Sequence, residues 1–223
     1  MKVEYIYHSG FTIETENYFL VFDYYKGDIK LKDKKIIVFS THGHGDHFNP
    51  TILKWQDDYP DISYVLSSDI GVEPSKNIHI MSPYEELKID DVVVKSFDST
   101  DLGLSLLINV EGKNIFFAGD LNWWHWEDDS MDAQLKEEKD FKNEIAKIKG
   151  NNIDIAFFPV DPRLGDGYYL GGKYVIRELK PKVFFPMHFV DKYNVIPKFI
   201  NRINNPPVHI VEINKQNQVF EIF

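Results

Sequence analysis

Hydrophobic residues in the first half of the chain fall into short runs separated by polar or glycine-containing breaks. Their length and their content of Val, Ile, Phe and Tyr predict β-strands rather than helices. The run Lys35–Phe39 is apolar without alternation, which is typical of a strand buried on both faces. The predicted strands of this half are Val3–Tyr7, Phe11–Thr15, Tyr18–Phe22, Lys35–Phe39, Ile62–Leu66, Ile78–Ile80, Val92–Phe97, Leu104–Val110 and Asn114–Ala118.

Helical spacing becomes frequent in the second half. One predicted buried helix face, closed by Gly150, consists of Met131, Leu135, Phe141, Ile145 and Ile148. The other predicted elements are a helix from Asn49-Pro50 to about Gln56, helices Lys173–Leu179 and Val195–Ile203, and strands Ile153–Phe158, Val183–Pro186, Val208–Ile213 and Val219–Phe223. This order predicts one α/β (α+β) domain over residues 1–223, with two sheets face to face and helices outside both.

Composition narrows the function classes. The 223 residues include no cysteine, which excludes disulfides, thiolate zinc sites and a cysteine nucleophile and agrees with a cytoplasmic location. The formal net charge of −10 argues against nucleic-acid partners. No apolar run approaches the roughly 18 residues of a membrane span, so no membrane partner is expected. The expected partner is a small-molecule substrate.

A dense group of metal-ligand residue types follows the buried strand Lys35–Phe39. His42, His44, Asp46 and His47 lie within six positions, with glycines between them that let the loop turn sharply. Imidazole and carboxylate suit zinc best among common divalent ions, and manganese or iron are alternatives. The spacing predicts a centre of one or two divalent ions, with His42 and His44 serving one position and Asp46 and His47 the other.

The pattern His-x-His-x-Asp-His after a strand resembles the signature of the metallo-β-lactamase superfamily. Two later segments resemble further parts of that signature: Phe116–Asp120, whose carboxylate Asp120 would bridge two metals, and Phe184–Phe189, whose His188 would bind the second metal. The resemblance implies the four-layer αββα sandwich of the metallo-β-lactamase type. The start Ile6–Phe11 and the segment Pro186–His188 are similar to the branch that contains L-ascorbate-6-phosphate lactonases and uncharacterised metal-dependent hydrolases.

The sequence departs from the family pattern in one place. The family supplies a further histidine to the first metal, and here Ser99 or Thr100 occupies that position. Three side chains are alternatives for its role: Asp98, Asp101 and His125. Otherwise the first metal would bind weakly or not at all.

The resemblance implies hydrolysis by metal-activated water, with Asp46 orienting the water or accepting its proton. The predicted substrate is an ester, lactone or phosphodiester of a small acidic metabolite. Arg163 and His125 are the predicted substrate contacts, although Arg163 could instead pair with a neighbouring aspartate and His125 could belong to an aromatic plug. Asp23 is a candidate partner of a ligand histidine, and His8 lies either near the site or in a simple turn. The alternative function is a non-catalytic or one-metal binding or sensor protein with a degraded first site.

Overall fold

The backbone of the computed structural model, which describes residues 1–204 and 206–223, forms two compact units. The first unit comprises Met1–Ser82 together with Asn214–Phe223, and the second comprises Pro83–Ile213. The prediction of a single domain over residues 1–223 stays a prediction.

The first unit contains a mixed sheet in the order β14-β1-β2-β3-β4-β5-β6. Its strands are β1 (Lys2–Tyr7), β2 (Gly10–Glu14), β3 (Tyr18–Phe22), β4 (Lys35–Ser40), β5 (Ser63–Ser67), β6 (Ile78–Met81) and β14 (Gln218–Glu221). Pairing is antiparallel from β14 to β3 and parallel from β3 to β6. Because β3 and β4 are parallel, the residues that follow them, Asp23 and Thr41, leave the sheet at the same edge.

The helix predicted at Asn49-Pro50 is present as a 3-10 helix, Pro50–Asp57. Asn49 caps it, because its side-chain oxygen accepts a hydrogen bond from the Thr51 N–H at 3.0 Å. Ile52 is the buried residue of this helix and belongs to the core cluster that includes Val38 and Tyr64. With one buried side chain, the helix contributes little apolar area to the core.

The second unit contains a mixed sheet in the order β13-β12-β11-β10-β9-β8-β7. Its strands are β7 (Glu86–Ile89), β8 (Val92–Phe97), β9 (Ser105–Val110), β10 (Lys113–Phe117), β11 (Ile155–Pro159), β12 (Val183–Met187) and β13 (His209–Ile210). The strands from β10 to β13 are parallel, so Asp120, Asp161 and His188 follow three strand ends at one edge. Strand β7 is absent from the sequence-based prediction because it has only four residues, none of which is buried.

The helices of the second unit are α1 (Met131–Ile148), α2 (Leu170–Leu179) and α3 (Val195–Ile203). The predicted buried face of α1 is wrong in its first two turns, where Met131 is 75% and Leu135 57% exposed. At 3.6 residues per turn, Leu135 points about 120° away from the direction shared by Phe141, Ile145 and Ile148. Among the described residues, no helix combines the length and apolar character needed to cross a membrane.

A polar residue, Glu144, takes a place on the buried face of α1. It is only 5% exposed, and its carboxylate accepts hydrogen bonds from the Tyr84 hydroxyl at 3.1 Å and from the Asp98 N–H at 2.9 Å. Lys147, one turn later on the same helix, adds an ion pair at 2.6 Å. Glu144 therefore ties α1 to the loop that follows β8, where the family pattern would place a histidine.

Gly172 provides a packing test in the second unit. A Cβ at this position of α2 would lie 2.7 Å from Cζ of Phe199, a fully buried ring stacked on Phe184 with a centroid separation of 5.6 Å. Alanine gains about 1 kcal/mol over glycine in an open helix, but overpacking a core costs about 1–3 kcal/mol. We expect Gly172→Ala to lower the free energy of unfolding by up to about 2 kcal/mol in urea titrations. The exposed Lys173→Ala should change it by less than about 0.5 kcal/mol, and a stabilised Gly172→Ala would contradict the packing.

Candidate metal centre

The loop after β4 gathers three imidazole rings. His42 and His47 are fully buried, whereas His44 is exposed. The ring of His42 lies 4.7 Å from that of His44 and 4.1 Å from that of His47, measured between centroids. Gly43 lets the backbone pass close to Asp69, whose carboxylate accepts the Gly43 N–H at 2.7 Å. The sequence-predicted ligands of the first unit are thus brought together by one tight loop.

Asp23 holds this loop from the end of β3. Its carboxylate, which is fully buried, accepts hydrogen bonds from the Thr41 N–H at 2.8 Å and the Thr41 hydroxyl at 2.7 Å. The same carboxylate lies 2.7 Å from Nδ1 of His47. A carboxylate can only accept, so Nδ1 carries the proton and Nε2 presents its lone pair, as metal-binding histidines require. The contact predicted for Asp23 with a candidate ligand histidine is confirmed.

His8, at the end of β1, lies beside the predicted ligands. Its side chain is buried, and Nε2 is 3.3 Å from Oδ2 of Asp46. The ligand atoms of His8, Asp46 and His47 all lie within 4.8 Å of one another. The hydrogen bond from His8 is the largest influence on Asp46 and holds the pKa of that carboxyl well below its ordinary value, despite partial burial. Asp46 is therefore ionised at neutral pH, as a ligand or proton acceptor must be.

In the second unit, Asp120 and His188 are neighbours. Nε2 of His188 lies 3.3 Å from Oδ1 of Asp120, and both side chains are nearly fully buried. Trp124 contacts both residues: its indole N–H donates to the Asp120 carbonyl at 2.9 Å, and its ring meets that of His188 edge-on at 5.6 Å. The strand ends after β10 and β12 thus bring together the two predicted ligands of this unit.

Asp161 contacts Nδ1 of His188 in the same way that Asp23 contacts Nδ1 of His47. Oδ2 of Asp161 lies 2.9 Å from Nδ1 of His188, and the carboxylate is buried. Burial alone would lower the pKa of His188, but the charges and hydrogen bonds of Asp120 and Asp161 raise it to about 10. The sequence analysis did not single out Asp161 as a histidine partner. The sheet order places Asp161 beside His188, because β11 lies between β10 and β12.

Arg163 forms an ion pair and hydrogen bonds with Asp161. Its Nε lies 2.8 Å and its Nη2 2.6 Å from Oδ2 of Asp161, and its backbone N–H donates to Oδ1 at 2.8 Å. Burial would raise the pKa of Asp161, but the hydrogen bonds from His188 and Arg163 lower it. The Arg163 side chain is nonetheless 60% exposed and its guanidinium lies 5.9 Å from the centre of the Trp126 ring. Its predicted substrate contact stays a prediction.

The loop at the missing histidine position uses its side chains for its own structure. The Thr100 hydroxyl donates to the Asn122 carbonyl at 2.6 Å and accepts from the Asn122 N–H at 3.1 Å. Asp98 accepts the Ser99 N–H at 3.0 Å, and the Asp101 N–H donates to the Ser99 hydroxyl at 3.2 Å. Over residues 1–204 and 206–223, neither Asp98 nor Asp101 has its carboxylate in a group of three or more close metal-ligand atoms.

His125 lies in the tryptophan segment that follows Asp120. Its ring packs against Gly167, where a Cβ would be 3.3 Å from Cδ2 of His125. Nδ1 of His125 is buried and makes no hydrogen bond to the described residues. The neighbouring Trp124 and Trp126 stack at 6.0 Å, so the segment is a packed aromatic wall beside His188. The predicted contact of His125 with substrate stays a prediction.

The donor chemistry of these residues fits a divalent metal. Each unit offers imidazole nitrogen and carboxylate oxygen, which zinc, manganese and iron accept. Two histidines, His47 and His188, also have a buried carboxylate on Nδ1, the usual support of a metal-binding imidazole. Such paired carboxylates are costly to bury and are expected where they orient a ligand.

Comparison with known proteins agrees with this chemistry. The family model described as "Beta-lactamase superfamily domain" matches residues 2–188. The UPF0173 metal-dependent hydrolase YtkL of Bacillus subtilis (strain 168) is 29% identical over 224 residues, which cover 88% of this chain and 87% of YtkL.

Two solved structures share the fold over nearly their whole length. The metallo-beta-lactamase fold protein YhfI from Bacillus subtilis has a TM-score of 0.68 at 13% identity and 98% coverage of both chains. Igni18, a metallo hydrolase from Ignicoccus hospitalis KIN4/I, has a TM-score of 0.64 at 17% identity, covering 100% of this chain and 99% of Igni18. The predicted superfamily and fold class are confirmed, whereas the lactonase-like branch stays a prediction. The chain therefore belongs to the β-lactamase superfamily, among relatives that are metal-dependent hydrolases.

Proposed function

We propose that this metal-dependent hydrolase cleaves an ester, lactone or phosphodiester bond of a small acidic metabolite. The proposed metal ligands are His42, His44, Asp46 and His47 of the first unit and Asp120 and His188 of the second. The observation that carries the proposal is the pair of buried carboxylate–imidazole contacts, Asp23 with His47 and Asp161 with His188. A histidine held through Nδ1 by a carboxylate presents Nε2 for coordination.

The chemistry follows from these groups. When bound, a divalent metal lowers the pKa of water from 15.7 toward about 7 and polarises the bond under attack. Asp46 is ionised, and its side chain is 46% exposed, so solvent and substrate can reach it. In the proposed mechanism Asp46 orients the attacking water and accepts its proton. The Trp124–Trp126 wall beside His188 excludes bulk water from one side.

Zinc is the proposed metal, because the donor set is rich in imidazole. The proposed positions differ in affinity. The loop after β8 supplies no histidine to the metal position of His42 and His44. In that loop the Thr100 hydroxyl is hydrogen-bonded to the Asn122 backbone. We therefore expect one tightly held ion and a second that exchanges readily.

An acidic substrate group suits the positive charge of Arg163 on the second unit. The exposed guanidinium of Arg163 lies over Trp126 and is oriented by Asp161, so it can pair with a carboxylate or phosphate at its outer edge. A small metabolite also agrees with the net charge of −10, which disfavours long polyanions. A cytoplasmic location stays a prediction from composition.

Metal analysis combined with an activity panel tests the proposal. Protein purified without chelator should hold at least one zinc per chain, and Asp120→Ala should lose most of it. Chromogenic esters, lactones and phosphodiesters should include at least one that the zinc, manganese or iron form turns over and that Asp120→Ala does not. Absence of turnover on every class with all three metals would contradict a hydrolase of these substrates.

A further inference from the structure

His8 occupies the left-handed backbone region. Its φ of +59° is one that few residues other than glycine, asparagine, aspartate and histidine adopt. A shift of the β1–β2 register between Tyr5 and Tyr7 precedes it, and its N–H donates to the buried Tyr5 hydroxyl at 2.9 Å. The fold thus fixes the backbone from which this imidazole projects. Left-handed residues other than glycine cluster at active sites and ligand-binding sites.

The histidine–aspartate pairs of the two units fall into two distance classes. Contacts through Nδ1 are short, 2.7 Å for His47 with Asp23 and 2.9 Å for His188 with Asp161, as charge-assisted hydrogen bonds are. The contact of His8 with Asp46 runs through Nε2 and is longer, 3.3 Å. The contact of His188 with Asp120, two proposed ligands, also runs through Nε2 at 3.3 Å.

The longer distance fits two ligands of one metal. With ligand bonds of about 2.0–2.2 Å, neighbouring ligand atoms in tetrahedral geometry lie roughly 3.3–3.6 Å apart. The atoms of His8, Asp46 and His47 also lie within 4.8 Å of one another, and His47 presents Nε2. The ring of His8 meets that of His47 edge-on, with an interplanar angle of 78° and a centroid distance of 5.6 Å.

We propose that His8 is a metal ligand, sharing one ion with Asp46 and His47 through its Nε2. This inference rests on the proposed metal centre and assigns an imidazole from the start of the chain to it. It gives the position of Asp46 and His47 three side-chain ligands from the first unit alone.

Cobalt binding to two His8 variants tests the assignment. His8→Asn keeps the left-handed backbone, which asparagine tolerates, but removes the imidazole. His8→Gly also opens space for free imidazole. We expect both variants to bind Co²⁺ at least tenfold more weakly than the parent protein and to shift its visible absorption bands. Added imidazole should restore the parental bands in His8→Gly, an effect that a purely structural histidine would not produce.

Two controls separate this inference from the proposed function. His209→Ala removes a histidine of β13 and should keep parental Co²⁺ affinity, and circular dichroism should show that every variant is folded. His8 variants with parental affinity and unshifted bands would overturn His8 as a ligand, provided that His47→Ala loses the metal. If His47→Ala also keeps parental Co²⁺ affinity, the proposed metal centre itself is wrong.

Discussion

His188→Ala is expected to lower kcat/KM for the cleaved substrate by a factor on the order of 10³, which corresponds to about 4 kcal/mol of transition-state stabilisation. Nε2 of His188 lies beside Asp120, and Nδ1 is held by a buried carboxylate, so alanine removes a pre-oriented ligand. Metal content should fall in parallel. Elemental analysis and steady-state kinetics on the same preparation measure both effects.

The loss should be specific to metal binding. After the substitution, Asp161 keeps its hydrogen bonds from Arg163, so the carboxylate is not left as an unpaired buried charge. The matched control is His209→Ala, which removes an exposed histidine from β13 in the same sheet. If His188→Ala retained full metal content and activity within tenfold of the parent, His188 would not be a ligand.

Much of the framework could be predicted from local sequence. Runs such as Tyr18–Phe22 and Lys35–Phe39 are buried along their whole length or nearly so, and such runs identify central strands without knowledge of their neighbours. The candidate ligands from His42 to His47 can also be predicted from local sequence, because all of them lie in one loop. Helix α3 was predicted with its observed bounds, since its apolar positions repeat over every turn.

Features that depend on residues far apart in the sequence could not be predicted from local sequence. The role of Thr100 comes from hydrogen bonds to Asn122, and that of Asp161 from His188, 27 positions later. By sequence alone His8 belongs to a Ser-Gly turn, and only the structure shows that its ring lies beside Asp46. Met131 and Leu135 carry apolar side chains at helical spacing but are exposed, since spacing alone does not show how far a buried face extends.

Removal of the Asp23 carboxylate should produce the largest loss of stability. Asp23 is fully buried and accepts from the Thr41 N–H, the Thr41 hydroxyl and Nδ1 of His47, all within 2.8 Å. Asp23→Ala leaves these donors without an acceptor, so the free energy of unfolding should fall by about 3–5 kcal/mol in denaturant titrations of chelator-treated protein. The control Asp69→Ala removes a carboxylate from an exposed contact with Gly43 and should cost about 1 kcal/mol.

Asp23→Asn separates stability from metal affinity. Asparagine tolerates the φ of +42° at this position, and its carbonyl oxygen can still accept from the Thr41 N–H. Its amide can instead donate to Nδ1 of His47, which moves the imidazole proton to Nε2, the nitrogen that a metal needs. We expect zinc affinity, measured by competition with a chromophoric chelator, to fall about 10–100-fold, with less loss of stability than in Asp23→Ala. Equal zinc affinity in Asp23→Asn and the parent would show that Asp23 only holds the loop. Weak affinity in a stable protein would show that the buried carboxylate sets which nitrogen of His47 carries the proton.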